Sequence, residues 1–132
     1  MKRSNQAGIE GAACRPNFSA AGRRRRRRVA LGLTLLAGGT FVTLLVAHAP
    51  GWSRLVVALP AAAAAIVGLQ VTRNTCLAQA TAGTVEHEDF STSKVEADFA
   101  AASRHVARTI VRDGALIGVA AGGLGLMSGW VL

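Results

Sequence analysis

The sequence predicts an all-α membrane protein. It has three transmembrane helices, N-terminus in and C-terminus out, with a cytoplasmic amphipathic helix between the second and third. Three observations lead there. Apolar runs free of Asp, Glu, Lys and Arg occupy residues 29–48, 55–71 and 115–132. Charged residues make up 17% of the chain, where soluble domains carry about a quarter. Residues 1–28 hold nine Lys and Arg against one Glu, so this segment alone accounts for the net charge of +8. With 132 residues and two Cys, the chain is too short for a multidomain enzyme and too poor in cysteine for a disulfide framework.

Residues 1–22 lack helical or strand periodicity and are rich in Gly, Ala, Ser and Asn. Residues 1–28 therefore read as a disordered basic tail ending in Arg23, Arg24, Arg25, Arg26, Arg27 and Arg28. Such a run attracts nucleic acid, but it abuts Val29, which forces contact with lipid headgroups. Each basic residue gains about 1 kcal/mol from an anionic leaflet. The run is expected to anchor topology against anionic inner-leaflet lipids, with nucleic acid disfavoured.

Residues 29–48 rise about 30 Å as a helix, the thickness of a hydrocarbon core. Ala47-His48-Ala49 resembles a signal-peptidase site. The run is longer than a signal h-region, and Pro50 would occupy the first mature position, so an uncleaved anchor is expected. Pro50-Gly51 marks a turn and Trp52 an interface residue. Residues 55–71 complete a helical hairpin spanning 29–71, with Pro60 near the start of its second helix.

Residues 72–114 read as a cytoplasmic helical loop. The apolar period fades after Leu77-Ala78 and Gly83 is a stop signal, so the second helix is expected to project two or three turns into water. Residues 84–92 read as an acidic loop. Ser93 to Glu96 match a capping box. Val95, Phe99, Ala102, Val106 and Ile110 then mark one face of a helix over 94–112, with Arg104 and Arg108 opposite. Acids at its start and arginines at its end would complement the helix dipole. Residues 115–132, eighteen without charge, reach about 27 Å and form the third span. Fourteen Lys and Arg lie on one side of this layout and one in the 49–54 turn, which sets the orientation. Trp52 and Trp130 then share the outer interface.

Gly114, Gly118 and Gly122 recur every four residues, and Gly125 and Gly129 form a second series. In lipid, helices associate through close approach at small residues. The series predicts a homo-oligomer or a docking face for a larger membrane protein; alternatively, helices of one chain use these grooves on each other. Cys76 is a candidate reactive thiol because Arg73 lies one turn before it. Glu86-His87-Glu88-Asp89 cannot converge on one ion, so no metal is expected. No ionisable group interrupts a span, which argues against a proton relay. No nucleotide or hydrolase motif is present, so no catalytic residue, cofactor or enzyme activity is expected.

The stretch Gly51-Trp52, Pro60, Leu69-Gln70, Thr75-Cys76 and Gly83 resembles small, uncharacterised bacterial inner-membrane proteins with a tight two-helix hairpin and a Cys just past the second helix. Over residues 25–83 it also loosely resembles the transmembrane hairpin appended to some rhodanese domains. The Cys-Pro and the rhodanese loop are missing here, so sulfur chemistry does not carry over. The resemblance implies a multi-pass protein of the bacterial inner membrane and assigns no site residue. The expected role is a non-catalytic scaffold, subunit or assembly factor acting through helix packing. Two alternatives stand beside it: a sensor or adaptor using the Arg tail and helix 94–112, and a thiol-linked or small-solute transporter component.

Overall fold

The computed structural model describes residues 16–131, with side chains through residue 128. In chain order it contains α1 (Ala20–Val46), a 3-10 helix (Gly51–Val57), α2 (Ala58–Thr72), α3 (Leu77–Ala82), β1 (Thr84–Glu86), β2 (Thr92–Lys94) and α4 (Ala97–Val131). Three helical segments, Ala20–Val46, Gly51–Thr72 and Ala97–Ser128, are long and apolar enough to cross a membrane. Their large apolar side chains point outward: Leu35, Leu59, Val119 and Leu124 are all exposed. A water-soluble bundle avoids such a surface. α2 is the middle member, packed against α1 on one side and α4 on the other.

The basic run is helical. Ser19 is the N-cap of α1, its Oγ accepting from the Gly22 N–H at 2.9 Å, so Arg23 to Arg28 occupy the first turns of α1. This corrects the expected disordered tail over residues 16–28; residues 1–15 lie outside the described part. At the far end of α1, His48 takes φ +50° and the chain turns into the 3-10 helix. Pro60 is the third residue of α2, a first-turn position where a missing N–H is tolerated.

α2 does not project beyond its apolar stretch. Thr72 is its last residue, Asn74 adopts φ +52°, and the Thr75 N–H returns to the Gln70 carbonyl at 3.1 Å. Asn tolerates the left-handed region through its short polar side chain. The reversal folds Thr75 and Cys76 back beneath α1. Gly83 does end α3, with φ +66°.

The acidic segment is a hairpin rather than a loop, so the chain is not purely helical. Thr84 pairs with Lys94, Val85 with Ser93 and Glu86 with Thr92. The expected capping box is absent, because Ser93 is held in a strand. Val95 N–H donates to Gly83 O at 3.1 Å, and the first helical carbonyl is that of Glu96, which accepts from Ala100 N–H at 2.9 Å.

The largest correction concerns α4. The expected cytoplasmic helix and third span are one unbroken helix of 35 residues, about 52 Å long. Arg104, Arg108 and Arg112 are thus mid-helix, and the dipole rationale for them falls away. The buried stripe also differs in phase from the expected face. Ala100, Ser103, Ala107 and Ile110 are buried and run into Gly114, Gly118, Gly122 and Gly125. Of the expected positions Ala102 and Ile110 are buried, while Val95, Phe99 and Val106 are half-exposed.

Candidate functional site

The chain's polar chemistry concentrates where the basic end of α1 meets the α2–α3 turn and the hairpin. Asn17 is 1% exposed and uses both ends of its amide on one residue. Its Oδ1 accepts from the Cys76 N–H at 2.6 Å and its Nδ2 donates to the Cys76 carbonyl at 3.2 Å. Its backbone N–H donates to Asn74 O at 3.2 Å and its carbonyl accepts from Glu86 N–H at 3.0 Å. Gln70 adds a bond to the same turn, its Oε1 accepting from Leu77 N–H at 3.2 Å.

Arg26 lies across this clasp. Its Nη2 is 2.9 Å from Cys76 Sγ and 3.8 Å from Glu86 Oε2, and its guanidinium stacks 4.6 Å from the Phe18 ring centroid. Glu86 also accepts from Ser19 Oγ at 3.0 Å, and Glu88 accepts from Ala20 N–H at 3.0 Å. Two hairpin carboxylates therefore sit at the N-terminus of α1, where the helix dipole favours negative charge. Gly22 makes room for them: a Cβ there would meet Glu86 Oε1 and come within 2.8 Å of Arg26 Nη1. The acidic segment is thus a counter-ion built against the basic run.

Cys76 is buried, 3% exposed. Its cationic neighbour is Arg26 and not the expected Arg73. Arg73 instead donates to Asp113 at 2.5 Å and to Thr109 Oγ1 at 2.9 Å, tying α2 to α4. Of the six arginines, Arg26 is structural; Arg24, Arg25, Arg27 and Arg28 are exposed, and Arg23 lies 6.0 Å from the Phe18 centroid.

The glycine series is used within the chain. A Cβ on Gly114 would meet Ile66, one on Gly118 would come within 2.9 Å of Ala58 O, one on Gly122 within 3.1 Å of Ala58 Cβ, and one on Gly125 within 3.1 Å of Arg54 O. The obstacles include backbone atoms of Ile66, Ala58 and Arg54 and the Cβ of Ala58, none of which a rotamer change moves. As the intrachain alternative has it, Gly114, Gly118 and Gly122 face α2 and its neighbour Leu55, and Gly125 faces Arg54 of the 3-10 helix. Gly129 and Trp130 lie beyond the described side chains. Trp52 is 73% exposed, at the end where Arg54 reaches Ser128.

Arg54 is 4% exposed, yet among the described residues its Nη1 donates to Ser128 Oγ alone, at 2.9 Å, and its Nε meets no partner. Sequence reading counted it only as the charge in a turn. Asn17, Glu86 and the special place of Arg26 were missed too, since contacts between residues 50 to 67 apart leave no periodic trace; Gln70 was missed as well. Only the Ser19 N-cap was open to a local signal. Among the described residues no group of three His, Cys, Asp or Glu side chains converges as a metal site would.

The chain matches no family model, no curated protein and no solved structure.

Proposed function

We propose that the chain is a non-enzymatic scaffold of a bacterial cytoplasmic membrane. Its arginine-bordered inner end holds anionic lipid and displays α4 to a larger partner. The single observation behind this reading is the continuity of α4. About 25 Å of helix, residues 97–113, continues past the segment that the glycines clamp to α2, with one stripe packed against α3 and the other face exposed. A platform of this kind needs no catalytic group. The exposed Arg24, Arg25, Arg27 and Arg28 fit the inner-leaflet anchor, and the arginines that precede Val29 and Asp113 fit an N-in orientation.

The decisive experiment is photocrosslinking in native membranes from two single positions. A probe at His105, exposed on the projecting part of α4, is expected to capture one discrete protein adduct. A probe at the exposed Val42 of α1 is expected to capture lipid alone. A His105 probe that yields no protein adduct rejects the scaffold reading. Cysteine labelling tests the orientation: Ser53→Cys should react from outside and Ser91→Cys from inside.

A further inference from the structure

The groove between α3 and α4 has no role in the clasp. It has a volume of about 610 Å³ and is lined by Leu77, Thr81, Ala107 and Val111, with Arg104, Arg108 and Arg112 along its border. A volume of this size is within the range of small-molecule sites. We propose that it binds one anionic glycerophospholipid, the phosphate held by the arginines and the upper acyl segment lying on Leu77 and Val111. The proposal rests on the membrane reading above, and it names the lipid and the place.

Three features support this occupant. First, the arginines recur every four residues, a rise of about 6 Å per step, on one side of the helix. Like charges at that spacing repel and weaken a helix, and the dipole does not offset them in mid-helix. Among the described residues no carboxylate forms a salt bridge with Arg104 or Arg108; Arg112 has Asp113, whose other oxygen is bound by Arg73. The border therefore carries more positive charge than the protein neutralises. Second, the floor is apolar: Ala107 is 5% exposed and Val111, beside it, 47%. A phosphate alone leaves that surface wet, whereas a lipid covers both parts. Third, the groove sits level with the ends of the apolar segments. Leu77 follows the end of α2 by five residues and Arg112 precedes the charge-free run at 115 by three. Headgroups of a surrounding bilayer lie at the Arg112 end of the groove, with Arg108 and Arg104 one and two turns farther out.

The test is native mass spectrometry of the full chain in mild detergent, with phosphatidylglycerol or phosphatidylcholine added at equal concentration. Wild type is expected to retain one phosphatidylglycerol and little phosphatidylcholine. Arg104→Gln/Arg108→Gln should retain it about thirtyfold more weakly, given the usual contribution of two basic residues. Arg104→Lys/Arg108→Lys should stay near wild type. Leu77→Trp, which fills the groove and leaves every charge, should also lose the lipid while its circular dichroism is unchanged. Lys94→Gln, an exposed charge away from the groove, should have no effect. Equal retention of the two lipids overturns the proposal, as does full retention by the Arg104/Arg108 glutamine variant. So does complete displacement by an equal concentration of inorganic phosphate, or an acidic polypeptide found in the lipid's place. Loss of the His105 adduct with lipid retention intact rejects the scaffold reading alone; the converse rejects the lipid site alone.

Discussion

Asn17 and Cys76 exchange two hydrogen bonds across 59 residues of chain, the Asn amide closing on the N–H and carbonyl of one peptide position. The pairing mimics a strand ladder with a side chain in place of one strand. It fixes the entrance of α1 to the exit of α2. Replacing Asn17 with Ala orphans the buried Cys76 N–H, at a cost of about 1–3 kcal/mol, while the Cys76 carbonyl keeps its bond from the Ala80 N–H at 2.9 Å. The variant is expected to unfold several degrees lower in detergent. Its Cys76 thiol, protected from maleimide in the wild type, should label at least tenfold faster. Labelling at the wild-type rate would show that the clasp does not hold the turn.

Glycines of α4 packed on α2 and glycines facing open space should respond differently to the same change. Gly118→Leu drives a side chain into the backbone of Ala58, and overpacking of this kind costs about 1–3 kcal/mol or more. Gly38 and Gly123 face open space, so Leu there should leave the melting temperature within about a degree, since surface changes rarely matter more. Thermal melts of the three variants, with size-exclusion profiles, separate the cases. A stable Gly118→Leu monomer released from an oligomer would restore the intermolecular use of the series.

Legibility followed range. The three apolar runs were readable because membrane length is a local property, and Gly83 because a left-handed stop is a single-residue requirement. The unbroken α4 was hidden by Gly114, whose low helix propensity of about 1 kcal/mol reads as a boundary; its close approach to Ile66 is a tertiary fact. The capping box failed for the same reason. Ser93 has the right neighbours for a cap, but its pairing with Val85 takes the backbone first. At the cap over the helix ends, the basic run was legible as charge. Its counter-ions Glu86 and Glu88 were not, because they reach it through a hairpin that a stretch of acidic and polar residues does not announce.

The hairpin tip carries its own titration. Asp89 accepts from the Ser91 hydroxyl at 2.5 Å and from the Ser91 N–H at 3.0 Å, and these bonds, the hydroxyl first, hold its carboxyl below the ordinary 3.8. A carboxylate depressed on folding contributes fully above its unfolded pKa and loses that contribution as pH falls through the folded value. The turn should therefore loosen only below pH 3.8. Carboxyl carbon shifts in a pH series should place Asp89 below 3.8. Ser91→Ala should return it toward that value; an unmoved titration would remove the hydroxyl as the cause.

Arg54 poses the opposite problem, a buried charge with few partners among the described residues. There one hydroxyl, that of Ser128, answers its guanidinium. Removing half of a buried polar pair costs more than removing both halves, because the survivor stays desolvated and alone. Ser128→Ala should thus lower stability by about 1–3 kcal/mol. Arg54→Met keeps the volume against Gly125 and discards the charge, so it should be neutral or stabilising. The double variant should resemble Arg54→Met, since the second change then has nothing left to orphan. Melting temperatures of the three proteins in one detergent decide the matter. If Arg54→Met is instead the most damaging, the guanidinium has a stronger partner than the Ser128 hydroxyl, and the ion belongs to the working structure of that end of the bundle.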